Sequence, residues 1–244
     1  MSKNKKLTFI PTIKDFENKL IPPVPAISQV PEWYKSLSLY GPTNSEKNLN
    51  PINHVGTDGT LVATKKCIPF FDALTSGYYY LLEDDLEVSQ NEHGYPKLTW
   101  KGDVMLIDKR PTLEVPIPGD CHPVHFGVRM NWFYRTPPGY SVLVTHPMNR
   151  YDLPFYTLSG VVDSDSWGLP VFFSFFVKRN FIGTIPKGTP VMQFFPFKRD
   201  SWEIEVDDSN EIIEEEEFKA ENRRTVVTGY YKNCLLYTSD AADE

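Results

Sequence analysis

Several things are missing from this chain, and each absence removes a class of protein. No apolar run is long enough to cross a bilayer as a helix; the most apolar stretch, Leu169 to Val177, is less than half of what a span needs. The N-terminus carries lysines but no apolar core and no small-residue cleavage site after them, so it does not read as a secretory signal. There is no basic stripe: the formal net charge is −7, much of it in the run Glu211 to Glu221, which argues against nucleic acid as a partner. Lys3 to Lys6 and Arg223-Arg224 are short clusters and read as solvated ends. The three cysteines, Cys67, Cys121 and Cys234, are odd in number and fit neither a disulfide framework nor a zinc knuckle, so a reducing, cytoplasmic compartment is expected. No P-loop, dinucleotide fingerprint or Gly-x-Ser-x-Gly elbow occurs.

Long helices are disfavoured too, because 21 prolines are spread along 244 residues. What the chain has instead is aromatic residues, 14% of the total and concentrated in the middle, where they suit a thick sheet core. From Lys65 onward, short runs bounded by Gly, Pro, Asn or Asp predict strands at Cys67 to Phe71, Gly77 to Glu83, Leu86 to Ser89, Leu98 to Lys101 and Val104 to Ile107. Stronger ones follow at Phe126 to Phe133, Tyr140 to Thr145, Val171 to Lys178 and Val191 to Pro196. Regular short strands of this kind predict an all-β protein, a sandwich, jelly roll or distorted barrel.

The organisation expected is fourfold. Residues 1–64 form an extended N-terminal arm with short helices: Thr12 to Leu20, a polyproline-like stretch from Ile21 to Pro25, a helical turn from Pro31 to Leu37, and a loop from Leu39 to Asp58. Residues 65–206 form the β domain. Residues 207–233 are an acidic helix and tail, with the helix from Asn210 to Arg223 capped by Ser209 or Asn210, acidic in its first turns, and carrying a narrow stripe of Ile212, Ile213 and Phe218. Residues 234–244, Cys234 to Glu244, resemble the in-frame translation of a transposase adapter from sequencing libraries. They are read as a non-native tail on a metagenomic sequence and left out of the fold argument.

Three segments carry the functional argument. Thr136-Pro137-Pro138-Gly139-Tyr140 is a rigid turn that launches a strand. Leu158-Ser159-Gly160-Val161-Val162-Asp163-Ser164-Asp165-Ser166-Trp167-Gly168 drives an apolar step into a turn with two acids. Ile185-Pro186-Lys187-Gly188-Thr189-Pro190-Val191-Met192-Gln193-Phe194 places one polar residue, Gln193, in an apolar strand. In this order and spacing the three segments resemble the dUTPase and dCTP deaminase superfamily. Its Pro-x-Gly-Tyr turn, Gly-Val-Ile-Asp-x-Asp-Tyr-x-Gly turn and Gly-Asp-Arg-Ile-Ala-Gln strand align with them over roughly Cys67 to Phe197. Phe71 to Tyr78 is similar to the family's first motif in a looser way. The chain also resembles a group of phage and bacterial proteins that share Thr-Pro-x-Gly-Tyr, Pro-x-Asn-Arg-x-Asp-Leu-Pro-Phe and Gly-Thr-Pro-x-x-Gln, a resemblance that brings no activity with it.

The first resemblance implies a distorted jelly roll or β-barrel of dUTPase-like type, a nucleotide as ligand and a homotrimer. For a phage-encoded protein the compartment would be the host cytoplasm. If the chain is an enzyme, it implies a deoxynucleoside triphosphate pyrophosphatase using Mg2+. Carried over by position, Asp163 is then the general base that activates water. Arg150, Asn149, Asp165, Gly188 and Gln193 contact the substrate, and Asp72 lies near the magnesium through water.

The departures from the pattern are specific. The family's Arg-Ser-Gly phosphate motif is replaced by His146-Pro147-Met148-Asn149-Arg150-Tyr151-Asp152. The tyrosine under the deoxyribose is Ser166, with Trp167 next to it. The arginine of the last motif is Pro190, and Lys219 to Asn233 holds no Gly-rich flap. A non-catalytic structural, regulatory or nucleotide-sequestering protein on the same scaffold is therefore the alternative.

Simpler readings stand beside each site residue. Asp163 and Asp165 are residues that turns favour. Gln193 also reads as a buried amide tying two strands, and Arg150 as an ion-pair partner of Asp152 or of an acid on a neighbouring strand. His122 and His125 are three apart, which in a strand points them to opposite faces, so with His146 they are not expected to hold a metal. The stripe Phe172 to Phe176 is apolar on both faces and predicts a strand covered on both sides.

Overall fold

A computed structural model describes residues 5–14, 17, 19–38, 64–110, 115–167, 171–207, 209 and 212–217. The chain divides into two compact units, Met1–Arg199 and Asp200–Glu244. The expected loop from Leu39 to Asp58 lies outside the described residues.

The first unit is mostly β-sheet. Its strands are β1 (Thr8–Pro11), β2 (Val24–Pro25), β3 (Tyr78–Leu81), β4 (Leu86–Gln90), β5 (Pro96–Thr99), β6 (Ile107–Lys109), β7 (Cys121–Arg129), β8 (Trp132–Arg135), β9 (Tyr140–Thr145), β10 (Phe155–Thr157), β11 (Gly160–Val162), β12 (Phe172–Lys178), β13 (Gly183–Ile185) and β14 (Pro190–Lys198). Two short helices, α1 (Glu32–Lys35) and α2 (Ile68–Thr75), precede β3. The strands form a five-stranded sheet in the order β11-β9-β14-β3-β2, a four-stranded sheet β10-β12-β7-β6, a three-stranded sheet β13-β4-β5 and the pair β1-β8. The pairings are antiparallel.

The main core is built by alternation. Val142 and Val144 of β9, Met192 and Phe194 of β14, Phe173, Phe175 and Val177 of β12, and Val128 of β7 project into one cluster. Leu86, Val88 and Ile185 of the three-stranded sheet join it. Phe175 and Phe155 are stacked at 4.7 Å between ring centres, and neither is exposed beyond 1%. Strand β12 lies between β10 and β7 with Phe175 and Phe176 both buried, as its two-faced apolar pattern predicts.

The N-terminal segment is stitched onto this core. Strand β1 pairs with β8, Phe9 meets the Phe194 ring edge-to-face at 5.8 Å, and β2 extends the five-stranded sheet beyond β3. Gly77 makes that sheet possible: its φ is +75°, and a Cβ there would lie 2.2 Å from the Phe194 carbonyl oxygen.

Some expectations are corrected. Cys67 to Phe71 is not a strand; Ile68–Thr75 is helical, with Pro69 in the first turn and Leu74 buried. A short apolar run does not distinguish strand from helix by periodicity, and Pro at the helix start is favourable. Phe126 to Phe133 is broken at Met130-Asn131 into β7 and β8. Of Val104 to Ile107, only Ile107 is in a strand, the one that begins there and continues to Lys109. The segment expected as a helix from Thr12 to Leu20 begins with bends at residues 12–14, and its residues 15, 16 and 18 lie outside the described ones.

In the second unit, residues 200–207 have no regular secondary structure and residues 212–217 are helical. The rest of the expected helix from Asn210 to Arg223 lies outside the described residues. Trp202, Ile204 and Val206 alternate with Glu203 and Glu205, and all three apolar side chains are more than four-fifths exposed. Ile212 and Ile213 are exposed as well. Among the described residues, no helix is long and apolar enough to cross a membrane.

Candidate functional site

Strand β9 organises the residues singled out from the sequence, and it separates them into two groups. At its start, Ser141 Oγ donates to Asp163 Oδ1 at 2.6 Å, and the Arg199 guanidinium lies 3.2 Å from the same oxygen. Asp165 accepts the Gly139 N–H at 2.8 Å and forms a two-pronged pair with Arg199. The turn after β8 and the turn after β11 are thus clamped together by one arginine and two aspartates. The Arg199 bond and the Gly139 N–H hold the Asp165 pKa down to about 2. Asp163 remains 61% exposed in its side chain, with its Oδ1 oriented.

The second group lies at the other end of β9. Gln193 pairs with Thr145, whereas Asp163 follows Val162, the partner of Val142, so about 13 Å of strand separates the two at ~3.3 Å per residue. Gln193 is fully buried. Its Oε1 accepts the Met148 N–H at 2.8 Å, and its Nε2 donates to the carbonyls of Ala73 and Ser76 at 3.0 and 2.7 Å. All of this amide's polar atoms are therefore used inside the protein.

Arg150 is buried and grips Asp152 with Nε–Oδ1 and Nη2–Oδ2 distances of 2.9 Å each. Asn149 sits at φ +60° in the left-handed region and donates to the Phe70 carbonyl at 3.4 Å. His146 is buried beside them; its Nε2 faces the Arg150 carbonyl at 3.2 Å, while Nδ1 accepts the Thr157 N–H at 3.3 Å. Burial, with the charges of Lys178 and Arg150, pushes its pKa down to about 4. Asp72 is exposed on α2, the helix whose end supplies the Ala73 and Ser76 carbonyls to Gln193. His122 is partly exposed and accepts the Val124 N–H, and His125 is buried and stacked on Phe176 at 4.9 Å.

Gly188 has φ +83°, in the turn between β13 and β14. Its N–H donates to the Leu82 carbonyl at 2.8 Å, and the Leu82 N–H donates to the Thr189 carbonyl at 2.8 Å. This reciprocal pairing brings Lys187 against the segment Glu83-Asp84-Asp85, where Asp85 Oδ1 accepts the Lys187 N–H at 2.7 Å.

Here lies a group that sequence reasoning missed. Glu83 is only 3% exposed, two residues beyond the end of β3. Its Oε2 accepts the Asn131 side-chain amide, and Asn131 also donates to the Met105 carbonyl at 3.1 Å. The Asn131 N–H donates to the Tyr80 hydroxyl at 3.1 Å. Burial raises the Glu83 pKa to about 7, against the opposing pull of Asn131, Tyr80, Trp132 and the Lys187 charge. In sequence, Glu83 ends the expected strand Gly77 to Glu83 and opens the acidic run Glu83-Asp84-Asp85. The one available signal is that it follows five apolar or aromatic residues without a break, Tyr78 to Leu82.

Among the described residues, no group of three or more His, Cys, Asp or Glu side chains converges closely enough to hold a metal ion. Sheets and site together define an all-β protein whose resembling motifs form two separate, internally bonded clusters. No family model matches the chain, and no curated protein matches it.

Proposed function

We propose that this chain is a non-catalytic protein, structural or regulatory, on a distorted jelly-roll scaffold of dUTPase-like type, and not a pyrophosphohydrolase. One observation supports this reading most. Gln193 and Arg150, the side chains that the resemblance would give to a triphosphate, make their bonds inside the protein instead. Releasing either to a ligand would leave partly buried partners unsatisfied, at a cost of about 1–3 kcal/mol for each group. The replaced arginine motif points the same way.

A second reading, nucleotide hydrolysis with Mg2+, has one observation in its favour. Asp163 is exposed, and its carboxylate is oriented by Ser141 and Arg199, as a water-activating base would need.

Incubation with dUTP and the other deoxynucleoside triphosphates in the presence of Mg2+, followed by a pyrophosphate assay, separates the two. No release is expected; release that Asp163→Asn removes would overturn the non-catalytic reading. A parallel thermal-shift series refines it. A ligand at 100 times its Kd adds about 2.7 kcal/mol, roughly 5–10 °C for a chain of this size, so selective stabilisation without turnover would make the protein a nucleotide-sequestering one.

A further inference from the structure

Residues 201–206, Ser201-Trp202-Glu203-Ile204-Glu205-Val206, carry the period of a half-buried strand without forming one. In a strand, Trp202, Ile204 and Val206 share one face and Glu203 and Glu205 the other, and Trp, Ile and Val are residues that strands favour. Yet the segment has no regular secondary structure and, among the described residues, joins no sheet. Its three apolar side chains are 88%, 96% and 85% exposed. Single exposed apolar residues are ordinary on a surface; three at alternate positions, all bare, mark an interaction surface.

Charge selects what can cover them. Between Asp200 and Glu217 there are ten acidic side chains and no lysine or arginine. Two copies of this segment laid side by side put like charges opposite one another, which strand pairing disfavours. The phosphates of nucleic acid and the headgroups of an anionic bilayer are repelled in the same way. A cationic protein surface is attracted. A strand added to an open sheet edge satisfies its backbone N–H and C=O groups in the ladder and sends alternate side chains to the two faces. One edge can therefore take the apolar residues into a row of contacts on one face and meet the acids on the other. The partner that this chemistry fits is a protein with an open sheet edge, apolar on one face and set with lysine or arginine on the opposite one.

We propose that residues 201–206 dock on such a cationic protein by adding a strand to its sheet edge, with Trp202, Ile204 and Val206 as buried anchors and Glu203 and Glu205 paired with its lysines or arginines. From Trp202 to Val206 the anchors span about 13 Å at ~3.3 Å per residue, the length of a short edge strand. The acids that follow, up to Glu217, extend the attraction beyond the anchors and keep free copies of the segment from pairing with each other. This docking is independent of the Asp163 turn and of nucleotide binding there.

The test is titration of the full chain, at physiological salt, with a hairpin peptide whose strands alternate lysine with valine around an Asn-Gly turn. A peptide of the same composition in shuffled order and phosphatidylserine vesicles are the controls. Binding is followed by calorimetry and by NMR hydrogen exchange of the backbone amides of residues 201–206. The hairpin is expected to bind with a Kd at or below about 100 μM and to slow exchange at alternate amides of the segment by about tenfold or more. The shuffled peptide, and the hairpin against the double variant Trp202→Ala with Ile204→Ser, are each expected to bind about tenfold more weakly, although no charge has changed. The double variant should melt as the parent does; a clear fall in Tm would mean that these side chains cover their own protein and overturns the proposal. So does the absence of hairpin binding, or equal binding by the shuffled peptide or the variant, which reduces the attraction to bulk charge. Preference for the vesicles overturns it in favour of a membrane. Self-association in sedimentation that the double variant abolishes overturns it in favour of a second copy.

Discussion

Gln193 holds Met148 by its backbone N–H at 2.8 Å, joining the middle of β14 to the loop that follows β9. The same amide reaches back to Ala73 and Ser76, so one side chain ties together three stretches of sequence. Gln193→Leu keeps the volume but orphans a backbone N–H and two carbonyls. The expected loss is about 2–4 kcal/mol, or roughly 5–15 °C in Tm, read by thermal and denaturant unfolding. A loss under about 1 kcal/mol would mean that water takes over these bonds.

Arg199 is expected to control the titration of Asp165. In Arg199→Ala the strongest cause of the depressed pKa is gone, so the carboxyl should titrate near the ordinary aspartate value instead of about 2. In the parent, the clamp's contribution is present above the ordinary aspartate pKa and fades as pH falls toward about 2. Carboxyl carbon shifts followed by NMR against pH would check this. An unmoved Asp165 would mean that the Gly139 N–H alone sets it.

Glu83 and His146 pull stability in opposite directions over the same pH window. The Glu83 carboxyl has a folded pKa of about 7, above its ordinary 4.5, so the folded chain holds the extra proton and stability falls as pH rises between those values. His146 has a folded pKa of about 4, below its ordinary 6.5, so the unfolded chain holds the extra proton and stability rises with pH between those values. Each effect is on the order of 3 kcal/mol, and they oppose one another where the windows overlap. Denaturant midpoints against pH should therefore be flat for the parent from about pH 4.5 to 6.5, rising with pH for Glu83→Gln and falling for His146→Gln. Parallel curves for all three proteins would refute the assignment.

Gly77→Ala should be among the most damaging single changes. The new methyl would lie 2.2 Å from the Phe194 carbonyl oxygen, a backbone atom in the strand pair Tyr78–Phe194, and φ +75° is unfavourable for alanine by about 1–2 kcal/mol before any clash. A total loss of roughly 3 kcal/mol or more, or failure to accumulate as soluble protein, is expected in expression and melting experiments.

Much of the sheet is legible because its strands announce themselves locally. Tyr140–Thr145 begins after a Pro-Pro-Gly turn and ends before His146-Pro147, and both boundaries agree with the pattern to the residue. The aromatic stripe of β12 identifies a strand covered on both faces without any knowledge of its neighbours. Cys67 to Phe71 misleads because five residues are too few for periodicity to decide between strand and helix. The site is less legible for a different reason. Asp163 and Gln193 fall into motifs by spacing along the chain, but whether their polar atoms face outward depends on partners as distant as Ala73 and Arg199. Glu83 is invisible because its surroundings include Asn131 and Trp132, nearly fifty residues further along, and nothing in its own neighbourhood of sequence names them.

Strand β14 is the last strand of the first unit in sequence, yet it occupies the centre of the five-stranded sheet, between β9 and β3. A ribosome makes this chain from its N-terminus, so β3 and β9 are both synthesised before the strand that joins them exists. Until Phe194 and its neighbours emerge, each presents an open edge and an uncovered apolar face. Folding of the nascent chain must therefore wait for nearly the whole first unit to leave the exit tunnel. A product truncated before Pro190 would have its sheet split down the middle, a natural substrate for chaperones and proteases.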